Sequence, residues 1–280
     1  TKTSKNFDGP HLRQIASAGP EAHERIARLL SVFEARGDMA LNMQWLVVTL
    51  IGKPCGGFRP IGLYPSLYRL YGRIRRCMCR HWESRNPRPY FAAAAGRTIP
   101  RTVWKQLLES EAAVSEGLDA ISVLWDLLKC YEHVGRIGLA HEVEVVGFPL
   151  AIARMAIQSY AWVRVLVHGE LVSAKTSAFR GIVAGCFAAT TLLKVRVMRA
   201  IDRYLSHPQA YPIDFQLFVD DSHLGMQGPS GRLPRAFAKA AAGLRDVFQI
   251  ELGLPLAPKK RWLVSSSEGV AKAFQHLPPL

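Results

Sequence analysis

The spacing of apolar positions changes repeatedly between a helical and an extended period. Glu21 to Arg36 bring Ile26, Leu29, Leu30 and Phe33 to one side at helical spacing, which predicts an amphipathic helix. Trp45 to Ile51 is an apolar, β-branched run and predicts a strand, with a turn over Lys53-Pro-Cys55-Gly-Gly57 and extended chain again from Phe58 to Ile61. Leu67 to Trp82 reads as a basic helix, broken by Asn86 to Pro89, and Pro100 to Val114 reads as another. Ala120 to Trp125 is a buried-strand pattern that delivers Asp126 at its tip. Leu150 to Trp162 is helical, and Val163 to Ser173 is a hairpin around His168-Gly169. A long helix is expected over Gly185 to Tyr204 and an Ala-rich one over Arg235 to Phe248. Between them, Phe215 to Leu224 reads as strand, acidic turn, strand. This alternation lacks the regular period of a doubly wound sheet, so the expected class is α+β.

Charge narrows the set of partners. The 280 residues carry 36 Lys and Arg against 22 Asp and Glu, a formal charge of +14. Such an excess favours a polyanion, either nucleic acid or an anionic membrane surface. From Lys53 to Lys105 there are 12 basic residues and one acid, Glu83. Tyr64, Tyr68, Tyr71, Trp82, Tyr90 and Phe91 alternate with these cations, and the mixture reads as a phosphate-contacting surface. Hydrophobic residues make up 49%, which excludes wholesale disorder. The longest uncharged apolar run, Gly181 to Leu193, has 13 residues, short of the ~18 needed to cross a bilayer. The five cysteines (55, 77, 79, 130 and 186) are odd in number and irregularly spaced, unlike a secreted disulfide scaffold. Cys77, Cys79 and His81 are spaced wrongly for one helix face and have no second pair, so zinc is not expected. With no signal peptide and Thr at position 1, the chain reads as an intracellular piece of a longer product.

Candidate chemistry rests on acids in apolar surroundings. Asp126 and the pair Asp220-Asp221 end strand patterns, where neighbouring carboxylates repel and need an offsetting cation. A pair of hard divalent ions meets that need and can run phosphoryl chemistry between two oxygens.

In order and spacing these residues resemble the reverse transcriptases, and among them the non-LTR retrotransposon and group II intron lineage. The resemblance runs from about Asp8 to Val264. Val47 to Lys53 with Phe58-Arg59-Pro60-Ile61 is similar to the fingers hairpin of that family, which implies that Lys53 and Arg59 grip the triphosphate. Tyr90-Phe91 with Gly96-Arg97-Thr98 resembles the loop near the template. Val123 to Tyr131 resembles the first palm motif, with Asp126 and the Leu127 carbonyl as metal ligands and Tyr131 as the aromatic gate against a ribose 2′-hydroxyl. Gly181 to Gly185 resembles the motif that opens the long palm helix, with Ala184 where the family has Gln. There Gly185 is implied to let the backbone approach a base. Phe218-Val-Asp220-Asp221 is similar to the aromatic-X-Asp-Asp box. Gly253 to Lys260 resembles the next motif, with Lys260, or its rival Lys259, assisting the leaving pyrophosphate.

The implied fold is a right-hand polymerase core. Fingers with an N-terminal helical arm would cover 1–118. A palm, an antiparallel sheet backed by helices, would cover 119–280, with 135–184 partly returning to the fingers and no thumb. The implied function is template-directed DNA synthesis on RNA from dNTPs, with two Mg²⁺ ions, or Mn²⁺, held by Asp126, Asp220 and Asp221. Partners would be an RNA template and a DNA or RNA primer, contacted also by Arg73, Arg76 and Arg97, in the nucleus or an organelle. Two alternatives stay open: an RNA-dependent RNA polymerase, against which Tyr131 argues, and a non-catalytic nucleic-acid scaffold, against which the three acids argue. A membrane role is disfavoured, because the basic residues are interleaved with turn formers.

Overall fold

The structure, a computed structural model, describes residues 7–9, 11–54, 56–94 and 96–275. Cys55 in the expected turn, and residues 276–280 of the tail, lie outside them. In chain order the elements are α1 (Leu12–Ala16), α2 (Pro20–Arg36), β1 (Trp45–Gly52), β2 (Phe58–Leu63), α3 (Ser66–Arg85), α4 (Ile99–Ser115) and β3 (Asp119–Leu127). There follow α5 (Cys130–His133), α6 (Arg136–Val145), α7 (Leu150–Ser159), β4 (Val163–His168), β5 (Leu171–Val172) and α8 (Ala189–Ser206). The chain continues through β6 (Ile213–Phe218), β7 (Asp221–Gly228), α9 (Leu233–Asp246), β8 (Leu256–Ser265) and α10 (Glu268–Gln275). The class is α+β, as expected.

Two compact units form: residues 1–86 with 131–196, and residues 87–130 with 197–280. The first holds a mixed sheet in the order β2-β1-β4-β5, with β1 and β4 parallel. Its core is a cluster of rings. Tyr64 and Tyr68 stack at 4.4 Å, and Trp162 meets Tyr68 edge-on at 5.3 Å. In α2 only part of the expected face is buried: Leu30 and Phe33 are inside, and Leu29 is exposed. The long helix starts at Ala189, not at Gly185, whose φ of 107° is not helical.

The charge-and-ring reading of 53–105 needs correction. Tyr64, Tyr68, Tyr71, Trp82, Tyr90 and Phe91 are all buried, so they are core residues and not a stacking surface. Periodicity explains this. On α3 the rings at 68, 71 and 82 share one face, and Arg73, Arg76 and Arg80 are exposed on the other.

The second unit holds an antiparallel sheet in the order β6-β7-β3-β8. Ile121, Val123, Trp125 and Leu127 of β3 are buried, so the even positions Ser122, Leu124 and Asp126 lie on the opposite face. Amphipathic α9 buries Leu233, Phe237, Ala240, Ala241 and Leu244 and packs against β3 and β7. Strand β8 was not expected. Its Pro258-Lys259-Lys260-Arg261 run has poor strand propensity, and pairing with β3 at the sheet edge overrides it.

Candidate active site

The site is built on the face of the second sheet that carries the even positions of β3. In the β3–β7 pairing Asp126 stands directly opposite Asp221, which puts both carboxylates on one face. The β3–β8 register slips between Trp125 and Leu127, and Asp126 sits at that irregularity, a place where a bulge re-aims a side chain. Strands β6 and β7 are joined by Val219 and Asp220 alone. Val219 has φ 60°, a strained value for a β-branched residue, and it holds the turn tight. The Asp220 carbonyl accepts the Leu127 N–H at 2.9 Å, which locks the acidic turn to the end of β3.

Lys260 joins this face from β8. Its ammonium pairs with Asp126, so of the two lysines considered it is Lys260 that reaches the acids. Partial burial, and then the like charges of Asp220 and Asp126, raise the pKa of Asp221, while Lys260 offsets part of the shift. Folded Asp221 therefore holds a proton more tightly than an unfolded Asp does. Its ionisation weakens the fold as pH rises from the ordinary value of 3.8 through the raised one. Asp221→Asn is expected to raise the urea midpoint at neutral pH. The gain should vanish in acid below the ordinary Asp range, and a gain that did not depend on pH would refute the electrostatic cause.

The donor chemistry suits a hard divalent cation, since Asp126 and Asp221 face each other across the strands as like-charged carboxylates. Among the described residues, however, no group of three or more His, Cys, Asp or Glu side chains is set to hold a metal ion. Asp126 meets its cation in Lys260.

The other expected site residues are placed as follows. In the first unit Lys53 and Arg59 are exposed at the end of the β1–β2 hairpin, with no carboxylate partner among the described residues. Tyr131 lies in α5; its hydroxyl is 3.2 Å from Thr190 Oγ1, and its carbonyl accepts the Ile182 N–H at 2.8 Å. Gly185 makes a close backbone approach to Gly62: a Cβ there would lie 2.3 Å from the Gly62 carbonyl oxygen. In the second unit Arg97 donates to the carbonyls of Pro89 and Phe91 and so ties down its own loop.

Two features escaped the sequence reading. Trp262 is 70% exposed and stands opposite Leu124, on the same face as the acids. On that face too, Asp214 pairs with Lys105 at 3.0 Å and faces His223 at 3.7 Å, whose pKa burial lowers. The period-2 register of β3 could have found Trp262 only with β8 already paired.

The chain matches no protein-family model, and no curated protein is similar enough to be matched. Among solved structures it is similar to an apo telomerase from Candida tropicalis truncated from the C-terminal domain. That match has a TM-score of 0.55 and 11% identity over 88% of this chain and 56% of the other. A second Candida tropicalis telomerase, in complex with a fragment of telomeric RNA, gives a TM-score of 0.57 and 11% identity over 91% of this chain and 47% of the other. The chain thus spans about half the length of the telomerase chains it matches. Its fold is a reverse-transcriptase-like core. These matches carry that core and not the non-LTR or group II lineage. No helix among the described residues is long and apolar enough to cross a membrane.

Proposed function

We propose that this chain is the catalytic core of an RNA-directed DNA polymerase, with the second unit as palm and the β1–β2 hairpin in the fingers. The observation that carries the reading is Asp126 directly opposite Asp221, with Asp220 next to it in the β6–β7 turn and Lys260 paired with Asp126, on one sheet face of a reverse-transcriptase-like fold. In the reaction the primer 3′-hydroxyl attacks the α-phosphate of a dNTP, and pyrophosphate leaves. Asp126, Asp220, Asp221 and the Leu127 carbonyl would hold Mg²⁺ or Mn²⁺, which when bound would polarise the attacking and leaving oxygens. Lys260, whose ammonium pairs with Asp126, would donate to the leaving pyrophosphate. Lys53 and Arg59, exposed and without acid partners, supply a point charge and a forked donor for the triphosphate. Gly185 shapes the nucleotide side, Tyr131 excludes the 2′-hydroxyl, and Arg73, Arg76 and Arg97 contact the RNA template or the primer. None of these steps is covalent on the enzyme; the acceleration would come from position and charge.

The test is extension of a DNA primer on an RNA template with Mg²⁺, with dNTPs and rNTPs in parallel. Extension with dNTPs alone is expected. Tyr131→Ala is expected to gain ribonucleotide incorporation at least about tenfold, the effect of removing roughly 1.4 kcal/mol of steric exclusion. A variant that kept parental discrimination would sink the gate assignment. The second reading is a catalytically silent nucleic-acid scaffold. Tight, salt-sensitive RNA binding without extension, by the parent and by a longer chain that continues past residue 280, would favour it over the polymerase.

A further inference from the structure

We propose that the outer side of α3, where Arg73 and Arg76 stand, tracks the phosphates of a single strand and takes one unstacked base into an adjoining recess. At ~100° per residue, Arg69, Arg73, Arg76 and Arg80 fall within an arc of about 60°. They cover about 16 Å of helix, a length that several consecutive phosphates span at about 3.4 Å per stacked nucleotide. Arg73, Arg76 and Arg80 are exposed, and none of the four has a carboxylate partner among the described residues. Arg75 makes the contrast. It points away from this arc and pairs with Glu34. Four arginines held side by side without acids repel one another, and a polyanion relieves that repulsion.

The neighbouring flank of the same helix opens a recess of about 420 Å³, lined by Cys77, Met78, His81, Trp82, Arg85 and Pro149 among others. Its wall is rigid. The Trp82 ring meets Phe148 edge-on at 5.4 Å, and its Nε1–H donates to the Val146 carbonyl at 3.2 Å. The volume falls within the range of roughly 300–1,000 Å³ typical of small-ligand sites. An apolar recess with an exposed imidazole beside a phosphate track suits a base that has left its stack, and only a single strand offers one. An anionic membrane fits less well. The apolar side of α3, including Tyr68, Tyr71, Cys79 and Trp82, is already buried, and so no wide apolar face is left to insert. The proposal rests on the nucleic-acid partner of the reading above, but not on its chemistry.

Fluorescence anisotropy on the full chain carrying Asp220→Ala tests it without catalysis. The probes are a short single-stranded RNA, its DNA counterpart, an abasic strand of equal length and a blunt duplex, with sedimentation of phosphatidylcholine–phosphatidylserine vesicles run beside them. The triple variant Arg73→Gln/Arg76→Gln/Arg80→Gln is expected to bind single strands at least about tenfold more weakly near 0.1 M salt. Its log–log salt slope should shrink by about two, from three lost phosphate contacts. The corresponding Arg→Lys triple keeps the charge and most of the affinity. His81→Ala is expected to weaken the normal strand several-fold and leave the abasic strand unchanged. Arg25→Gln/Arg28→Gln, whose arginines are already paired with Glu21 and Glu24, should leave binding unchanged.

Parental affinity and slope in the Gln triple would overturn the site, as would an equal loss in the Arg25/Arg28 control or a preference for the duplex. Loss of binding to anionic vesicles with RNA binding retained would overturn it in favour of a membrane. If the parent bound no nucleic acid at all, the polymerase reading would fall with it. If the parent bound and the Gln triple bound equally well, this site and the template contacts given to Arg73 and Arg76 would fall, and the acidic site would stand.

Discussion

Asp220→Ala is expected to lower nucleotide incorporation by at least about 10³-fold, a loss of about 4 kcal/mol of transition-state stabilisation. Asp220 is exposed in the two-residue turn between β6 and β7. Its backbone carbonyl, not its carboxylate, makes the hydrogen bond that pins the turn to Leu127. An alanine keeps that bond, so the fold and RNA affinity should survive while the acid is lost. Single-turnover primer extension measures the effect, with melting temperature and RNA binding as companions. Extension at the parental rate would mean that the chemistry, if any, lies elsewhere. Loss of extension together with loss of folding would be read through Asp220→Asn, which keeps the side-chain volume.

Gly185→Ala is expected to destabilise the first unit by about 3 kcal/mol or more, read as a lower urea midpoint. Two costs add. At φ 107° an L-residue is strained, and the new Cβ would lie 2.3 Å from the Gly62 carbonyl oxygen, a backbone atom that cannot swing aside. Gly62 is tied to the same loop through its N–H, which donates to the Ala184 carbonyl at 2.7 Å. Gly169→Ala is the control. Its φ is also positive, at 58°, but nothing lies within 4 Å of the added carbon. That variant should cost only about 1–2 kcal/mol, the left-handed penalty alone. Equal costs at the two positions would refute the close-approach account of Gly185.

Much of the candidate site was legible before any tertiary structure. Asp126 at a strand tip and Asp220-Asp221 between two strands follow from period-2 patterning, and the pairing of β3 with β7 then puts Asp126 opposite Asp221. The basic character of α3 was equally plain. What its rings do was misread, because a list of aromatics among arginines does not say which side of a helix each one takes.

The local spacing of apolar residues settled most of the helices and strands as far as α9, since a side chain's direction repeats every 3.6 residues in a helix and every two in a strand. It also settled which residues carry charge and acid. Long-range pairing settled the rest. That Lys260 reaches Asp126, that Trp262 shares the acids' face, and that Gly185 must be a glycine all depend on segments far apart in sequence. Strand β8 shows the reason. Its Pro258 to Arg261 run disfavours extended structure, and hydrogen bonds to β3 make the whole segment a strand. The contacts it brings to the site therefore exist only once the sheet has closed.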